Sequence, residues 1–312
     1  EKEIVQRRAD LLKDGGVTFE LNFEVGREAS LQELRDRHTA VLIATGVYKA
    51  RDAALPGVGL GNIIQSMTFL TASNRKGLGD AVPEFESGAL DAQGKHVVVL
   101  GGGDTAMDCV RTAVRQGAKS VKCLYRRDLE NMPGSMREVQ HAQEEGIEFV
   151  WLTAPEAYLG DDVVRGVRAV RIRLGAPDAT GRQTPEIVGG SAHEIEADLV
   201  IKALGFDPED LPTLFGEPGL SVTGWGTVGI DFRSRMTNLD GGFAAGDIVR
   251  GASLVVWAVR DGRDAAASIH SYLQEKVARE PIEPDGSKNG GSSDKGKAKR
   301  KSGRRRVRQS VG

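Results

Sequence analysis

Three consecutive glycines that begin at Gly101 lie in a pattern that can bind a phosphate group. The apolar run 97–100 precedes them, and a helical pattern follows over residues 104–116. Gly101 permits a tight turn, Gly103 lets the backbone approach a pyrophosphate, and Ala106 completes G-x-G-x-x-A with a small residue. The positive end of the helix would face the negative charge. The spacing therefore predicts a dinucleotide site, with a glycine-rich turn that binds no ligand as the alternative.

Two arginines, Arg126 and Arg127, follow the second apolar run, residues 121–125. An NAD site usually has Asp or Glu here, whose carboxylate accepts hydrogen bonds from the ribose hydroxyls. Guanidinium groups can instead hold a 2′-phosphate by charge-assisted, bidentate hydrogen bonds. The pair therefore predicts NADPH in preference to NADH. The alternative is a pair of arginines at a solvated strand end.

The two cysteines and five histidines exclude several classes of redox protein. Cys109 and Cys123 fall inside the predicted helix and strand and form no C-x-x-C pair, so we interpret both as buried apolar residues. An iron–sulfur cluster needs four thiolates, so we expect none in this chain alone. The histidines show no metal-ligand spacing, and we expect no metal site.

The sequence carries no targeting pattern and one strongly charged segment. No apolar run approaches the ~20 residues of a membrane span, and residues 1–10 do not resemble a signal peptide, so we expect a cytoplasmic protein. The chain starts without Met and inside a helical pattern, which suggests a fragment. Residues 285–312 carry ten Lys and Arg against two Asp, net +8, which leaves −10 for residues 1–284. We expect residues 281–312 to be a disordered, solvated tail rather than a nucleic-acid contact.

Helix and strand patterns alternate on both sides of the glycine unit. Residues 17–24 alternate like a strand, and S-x-x-E sequences at Ser30 and Ser135 predict capping boxes that open helices. A later apolar run ends in Ala-Thr-Gly at Gly46, where a backbone can approach a ligand, although that pattern is common. The run 197–204 ends similarly in Ala203-Leu204-Gly205, which suggests two similar dinucleotide-binding folds, one interrupting the other.

The last third of the chain places a carboxylate before a long helix. Residues 242–247 are mostly small, apart from Phe243, and end in Gly246-Asp247, and a helical pattern runs over residues 254–276. Asp247 could accept hydrogen bonds from a polyol such as the ribityl chain of a flavin; a helix N-terminal cap is the alternative. The backbone N–H groups of Leu254 and Val255 would lie at the positive end of the helix and suit the pyrimidine side of a reduced flavin.

Together these motifs resemble the FAD-dependent pyridine-nucleotide oxidoreductases with two dinucleotide-binding domains. They are A-T-G at 44–46, G-G-G-D-T-A-M-D at 101–108, Y-R-R at 125–127, A-L-G-F at 203–206 and A-A-G-D at 244–247. Longer runs, such as D-L-V-I-K-A-L-G-F at 198–206, are similar to the small (beta) subunit of NADPH-dependent glutamate synthase, over roughly residues 1–275.

The resemblance implies hydride transfer from NADPH to FAD. Iron–sulfur clusters would then carry electrons to FMN in the large (alpha) subunit, where glutamine and 2-oxoglutarate become two glutamates. Such a transfer needs proximity and orientation, so no catalytic acid–base pair is expected. The resemblance assigns Gly102, Gly103, Asp104, Thr105, Arg126, Arg127, Ala203, Leu204 and Gly205 to NADPH, and Gly46, Gly246, Asp247, Leu254 and Val255 to FAD.

The implied fold is α/β, with two Rossmann-like dinucleotide-binding domains and the NADPH domain inserted in an incomplete FAD domain. We predict a partial FAD domain at 1–80, the NADPH domain at 81–235, a return to the FAD domain at 236–280 and the tail at 281–312. The family's cysteine-rich domain and first FAD glycine turn do not appear in this sequence, so the clusters would lie in a missing N-terminal region or in the partner. The alternatives are a related NADPH–ferredoxin or dihydropyrimidine-dehydrogenase-like reductase, or a truncated, non-catalytic NADP-binding module.

Overall fold

The computed structural model describes residues 2–179, 181 and 183–279, and the predicted basic tail, 281–312, lies outside them. In that part of the chain helices α1 to α9 span Lys2–Asp14, Leu31–Arg37, Ser66–Gly77, Pro83–Glu86, Asp104–Arg115, Met136–Glu144, Leu211–Leu214, Asp247–Arg250 and Val255–Arg279. Strands β1 to β13 span Val41–Ile43, Lys49–Ala50, Ile63–Gln65, His96–Leu100, Ser120–Tyr125, Glu148–Trp151, Thr153–Gly160, Val164–Pro177, Gln183–Ile187, His193–Glu196, Leu199–Lys202, Phe206–Asp207 and Gly242–Ala244.

The central lobe, residues 56–202, is built on a parallel sheet with the strand order β3-β11-β4-β5-β6. Its middle strands are buried on both faces, since residues 97–100 and 199–202 are each no more than 5% exposed. Alternate side chains of β4 enter different cores, as the pleat requires. Val97 and Val99 pack with α3, α5 and α6, while Val98 and Leu100 pack against the antiparallel sheet β10-β8-β7. The buried strand predicted before the glycines is therefore confirmed.

The flanking lobe, residues 2–47 and 210–279, is built on the short parallel pair β1–β13. Its core contains Leu31, Ile43, Val47, Leu211, Phe215, Leu220, Val228, Ala244 and Ile248. The capping box predicted at Ser30 is confirmed, because its hydroxyl accepts the N–H of Glu33 at 3.2 Å and its own N–H donates to the Glu33 carboxylate at 2.8 Å. The box predicted at Ser135 is wrong: Ser135 makes no side-chain cap, and Glu138 pairs with Arg111.

The strand predicted over residues 17–24 is also wrong. Residues 17–24 form no strand, and the alternating apolar side chains of this segment stay exposed, from 39% for Phe23 to 79% for Leu21. A strand needs a hydrogen-bonded neighbour, and no described strand pairs with this segment. Alternation alone was therefore an insufficient basis for the prediction.

Two crossing segments, residues 48–55 and 203–209, join the lobes through the antiparallel pair β2–β12, with Ala50 opposite Phe206. The predicted domain boundaries at residues 80 and 235 need correction. β3 pairs with β11 inside the central sheet, and Phe69 of α3 packs into the central core. Leu211, on α7, instead packs with Ile43 in the flanking core. Both changes of lobe therefore occur about 30 residues earlier in the chain than predicted, at the crossing segments.

Candidate dinucleotide site

A cleft of about 890 Å³ opens at the carboxyl ends of β4, β5 and β11. Ligands of open α/β sheets bind at this edge, outside the carboxyl ends of the strands. Both lobes and the crossing segments contribute to its walls. The lining residues include Arg51, Asp52, Gly101, Gly102, Gly103, Asp104, Thr105, Arg126, Arg127, Pro133, Thr153, Pro155, Ala203, Leu204, Gly205 and Leu254.

A side chain would have a different consequence at each of the three glycines of the turn. Gly101 has φ +141°, and a Cβ there would overlap the carbonyl oxygen of Ala203. A Cβ on Gly102 would lie 2.5 Å from the ring of Tyr125. A Cβ on Gly103 would meet no atom within 4 Å. Packing therefore explains the first two glycines, whereas the third leaves open space beside the cleft.

Helix α5 begins at this open space. Gly103 is its N-cap residue, and the first intrahelical bond is donated by Ala106 to the Gly103 carbonyl at 2.9 Å. The N–H groups of Asp104 and Thr105 precede that bond and lie at the positive end of a 12-residue helix. Because both residues line the cleft, this end of α5 can receive an anion.

The segment after β5 fixes the turn from the other side. Gly134 donates its N–H to the Gly102 carbonyl at 3.0 Å, and Ser135 donates to the Asp104 carboxylate at 2.9 Å. The Tyr125 hydroxyl donates to the carbonyl of Asn131 at 3.0 Å. These bonds hold the turn in one geometry and engage the Asp104 carboxylate with a neighbouring N–H.

The two arginines at the end of β5 line the same cleft but differ in surroundings. Arg126 is exposed, whereas Arg127 is half-buried and donates from Nη2 to the carbonyl of Gln183 at 3.4 Å. The Nε of Arg127 is buried and finds no hydrogen-bond partner among the described residues. Neither guanidinium forms an ion pair with a described carboxylate, so this end of the cleft carries positive charge that is available to an anion.

The other end of the cleft adjoins β11 and the crossing segments. Ala203 donates its N–H to the Leu100 carbonyl at 2.8 Å, which places the end of β11 beside the glycine turn. Gly205 takes φ +90° and accepts the N–H of Arg51 at 3.0 Å. Leu254, immediately before α9, contributes the wall from the flanking lobe.

Sequence reasoning did not identify the charged residues of the crossing segments. Lys202, only 5% exposed at the end of β11, donates from Nζ to both carboxylate oxygens of Asp52 at 2.7 and 2.8 Å. Arg51 pairs with Asp207 through Nε at 2.8 Å and Nη2 at 2.7 Å. One lysine at the end of an otherwise apolar run was the available sign of Lys202, because such a charge needs a partner when buried.

The residues predicted for FAD lie together only in part. Leu254 lines the cleft, whereas Gly46, Gly246, Asp247 and Val255 are not among its lining residues. Gly46 and Gly246 follow β1 and β13, which pair in parallel, so both lie at the same edge of that sheet. A Cβ on Gly246, which has φ +79°, would meet no atom within 4 Å. Asp247 is the first residue of α8, whose N-cap is Gly246, and no side chain caps this helix, so the alternative role of Asp247 as an N-terminal cap is wrong.

Asp261 of α9, 1% exposed, holds the turn at Gly246 and was also missed. Arg250, whose N–H donates to the Gly246 carbonyl at 3.1 Å, donates from its guanidinium to both carboxylate oxygens of Asp261 at 2.6 Å. The hydrogen bonds from the guanidinium hold the pKa of the Asp261 carboxyl below its usual range. Arg235, at φ +58°, adds a contact at 3.5 Å, so a buried ion cluster supports this turn.

The cysteines are inert in this geometry. Burial raises the pKa of both thiols, that of Cys123 to about 12, so neither is a thiolate at neutral pH. Among the described residues, no group of three or more His, Cys, Asp or Glu side chains could hold a metal ion. Within that same part of the chain, none of the helices has the length and apolar character needed to cross a membrane.

The fold and the cleft are typical of a dinucleotide-binding protein, and comparison with known families supports that class. The family model described as pyridine nucleotide-disulphide oxidoreductase matches residues 5–262. The chain belongs to this family, and the predicted α/β fold with two dinucleotide-binding folds is confirmed. The NADPH-bound FprA of Mycobacterium tuberculosis shares the fold, with a TM-score of 0.65 and 20% identity over 82% of this chain and 68% of FprA. Thioredoxin reductase of Lactococcus lactis gives a TM-score of 0.54 at 22% identity, over 76% of this chain and 66% of the reductase.

Within the family the chain is similar to glutamate synthase small chains, so the resemblance seen in the motifs is confirmed. It is 68% identical over 277 residues to the glutamate synthase [NADPH] small chain of Azospirillum brasilense, covering 89% of this chain and 58% of the relative. It is 42% identical to the Escherichia coli small chain over 88% of this chain and 59% of that relative. The chain thus spans about three fifths of the length of these relatives.

Proposed function

We propose that the chain is the NADPH- and FAD-binding portion of a glutamate synthase small chain and acts as an NADPH-dependent flavoprotein reductase. The observation that carries the proposal is the open space at Gly103. It lies at the amino end of α5, in a cleft with Arg126 and Arg127, which form no ion pair with a described carboxylate, at one end and the flanking lobe at the other. This arrangement fits a phosphorylated dinucleotide with its reactive ring directed toward the flanking lobe.

Each predicted NADPH residue has a distinct task in this proposal. The N–H groups of Asp104 and Thr105 would bind the pyrophosphate, because they lie at the helix end before the first intrahelical bond. Arg126 and Arg127 would bind the 2′-phosphate by charge-assisted hydrogen bonds. Gly101 and Gly102 would keep the turn closed against Ala203 and Tyr125, and Ala203–Gly205 would border the nicotinamide half.

The flanking lobe would hold the flavin end of FAD. When bound, NADPH supplies a hydride and the flavin accepts it. Leu254 and Val255 stand at the start of the 25-residue helix α9 and expose 53% and 75% of their surface, so both the helix end and the apolar side chains are accessible. Gly246 has room for a close ligand, and Asp247 offers a carboxylate to the ribityl hydroxyls. Gly46, at the same sheet edge, would let the backbone approach the cofactor.

The partner and the final reaction follow from the relatives rather than from the cleft. A small chain implies a large (alpha) subunit, in which electrons would convert glutamine and 2-oxoglutarate to two glutamates. Iron–sulfur clusters would be supplied from outside residues 1–312, because Cys109 and Cys123 are buried and protonated. The identities of 68% and 61% to two small chains favour this function over the related ferredoxin-type and pyrimidine reductases. The cytoplasmic location stays a prediction.

A visible absorption spectrum tests the proposal. The protein is incubated with FAD, freed of excess cofactor and mixed anaerobically with NADPH. We expect bound flavin whose visible band bleaches with NADPH and much more slowly with NADH. A colourless protein that still binds NADPH would support the non-catalytic module instead. A Gly103→Ala variant is the matched control, since it should retain flavin and need a higher NADPH concentration for the same bleaching.

A further inference from the structure

Asp52 occupies a position that the proposed NADPH contacts do not explain. It follows β2 on the first crossing segment, and its carboxylate lines the cleft with about half of its side chain exposed. Lys202 donates to both of its oxygens, so the carboxylate stays fixed in position. Because Lys202 is 5% exposed and almost wholly enclosed, the pair holds the crossing segment against the end of β11.

The order of strands sets the direction in which a dinucleotide would lie. The glycine turn follows β4, the arginines follow β5 on one side of it, and Lys202 ends β11 on the other side. Neighbouring strands lie about 4.8 Å apart, so the two ends of the cleft are separated by roughly 10 Å at the backbone. A dinucleotide with its pyrophosphate at the turn and its 2′-phosphate at Arg126 and Arg127 must extend its nicotinamide toward β11 and Asp52.

The charged residues at the β11 end of the cleft indicate which side chain would contact the nicotinamide ring. Among the described residues that line the cleft, the carboxylates belong to Asp52 and Asp104. Asp104 lies at the turn and accepts the N–H of Ser135. Arg51, beside Asp52, is engaged with Asp207. Asp52 is therefore the carboxylate placed to meet the reactive ring, and Lys202 balances its charge so that it acts as a hydrogen-bond acceptor.

We propose that Asp52 accepts a hydrogen bond from the carboxamide NH₂ of the nicotinamide and thereby fixes the orientation of the ring; this rests on the proposed function. Oδ1 of Asp52 accepts from Lys202 and from the Ala53 N–H at 2.7 Å, whereas Oδ2 accepts from Lys202. A carboxylate oxygen can accept two hydrogen bonds, so Oδ2 keeps capacity for one more. The carboxamide distinguishes one edge of the ring from the other. A bond to it therefore selects which face of the ring is presented to the flanking lobe, and Lys202 is a positioning residue for that contact.

The test compares binding of NADPH with binding of its reduced 3-acetylpyridine analogue, in which a methyl ketone replaces the carboxamide and removes the N–H donors. Affinities are measured by calorimetry on the full chain. Hydrogen bonds to charged groups contribute about 1.5–3 kcal/mol, so the wild type should bind NADPH at least about tenfold more tightly than the analogue. Asp52→Ala should bind the two with equal affinity. Asp207→Asn, a change in the neighbouring ion pair that does not line the cleft, should keep the wild-type ratio.

A second variant controls for the case in which Asp52→Ala does not fold. Asp52→Ala leaves Lys202 buried without a partner, so the double variant Asp52→Ala/Lys202→Met is measured alongside it. Equal affinities in the double variant support the inference. A wild type that binds NADPH and the analogue equally, or a double variant that keeps the tenfold ratio, would overturn the inference while leaving NADPH binding intact. A wild type that binds no NADPH would overturn the proposed function, and the inference with it.

Discussion

The central and flanking lobes bury their apolar residues to different extents. In the central lobe, β4 and β11 are enclosed between a helical layer and an antiparallel sheet. In the flanking lobe the β1–β13 pair is short, α1 buries none of its residues, and the start of α9 exposes apolar side chains. The exposed ones at this end of α9 are Leu254, Val255, Val256, Trp257 and Val259.

The residues proposed for NADPH and those proposed for the flavin are therefore held in place by different kinds of interaction. The NADPH residues stand on a sheet that is buried on both faces, so their geometry is fixed by apolar packing. The turn at Gly246, proposed for the flavin, is held by the charged cluster of Asp261, Arg250 and Arg235. The stability of the central lobe should therefore respond mainly to steric changes at the turn, and that of the flanking lobe to changes in charge and pH.

Asp261→Asn should give the largest effect, confined to the flanking lobe. Removing one partner of a buried ion pair costs about 3 kcal/mol or more, because the remaining charges lose their compensation. Thermal unfolding should show a destabilised transition with NADPH affinity unchanged. Asp264→Asn, which removes a half-exposed partner of Arg235 one turn further along α9, is the control and should cost much less. Equal losses of stability in Asp261→Asn and Asp264→Asn would mean that Asp261 has no special role at the turn.

The same carboxylate predicts a pH dependence. Because the pKa of Asp261 is lowered in the folded protein, its contribution to stability is present above the ordinary carboxyl range, near pH 4, and is lost as pH falls through the lowered value. Wild-type flanking-lobe stability should fall on acidification more steeply than that of Asp261→Asn. Parallel pH profiles for the two proteins would contradict the assignment.

Gly101→Ala should destabilise the central lobe. A side chain at φ +141° is strained, and its Cβ would overlap the Ala203 carbonyl, so we expect a loss of at least about 2 kcal/mol. This loss of stability is measured by urea unfolding, monitored by hydrogen exchange of the β4 amides. Unchanged exchange in β4 would show that the turn is more adaptable than its close contacts indicate.

Gly103→Ala should instead affect binding and leave folding nearly unchanged. The backbone at φ −93°, ψ 177° suits alanine, and the methyl group meets no protein atom. It would occupy space proposed for the pyrophosphate, and such crowding costs about 1–3 kcal/mol, a loss of roughly 10- to 100-fold in NADPH affinity. Calorimetry checks the affinity and urea unfolding the fold. Full affinity in this variant would place the pyrophosphate elsewhere.

Removing residues 1–14 should have the smallest effect. Helix α1 buries none of its residues, and Lys2 ties it to α3 through two exposed hydrogen bonds, to the Asn74 side chain at 2.8 Å and to the Asn74 carbonyl at 3.2 Å. Surface contacts of this kind are within about 0.5 kcal/mol. The melting profile and NADPH affinity should therefore match those of the intact chain. A large loss would show that α1 supports the fold through contacts other than these.

The sequence predicted those parts whose causes are local. The β4–α5–β5 unit follows from an apolar run, three glycines and one amphipathic helix within about 30 residues, and the Ser30 capping box involves residues three apart. The missed groups depend on distant contacts: Lys202 and Asp52 are 150 residues apart. The wrong strand at residues 17–24 had the right alternation, but alternation does not specify a neighbour. Local patterns therefore located the NADPH turn, and tertiary contacts determined which charges surround it.

The most direct measurement is equilibrium binding of NADPH and NADH to the wild type and to Arg126→Ala/Arg127→Ala. Two charge-assisted bonds to a 2′-phosphate, at about 1.5 kcal/mol each, predict a loss of about 100-fold in NADPH affinity in the double variant. NADH lacks that phosphate, so its affinity should change by less than about threefold. Equal losses for the two cofactors, or a wild type that binds them equally, would contradict the assignment of the cleft to NADPH.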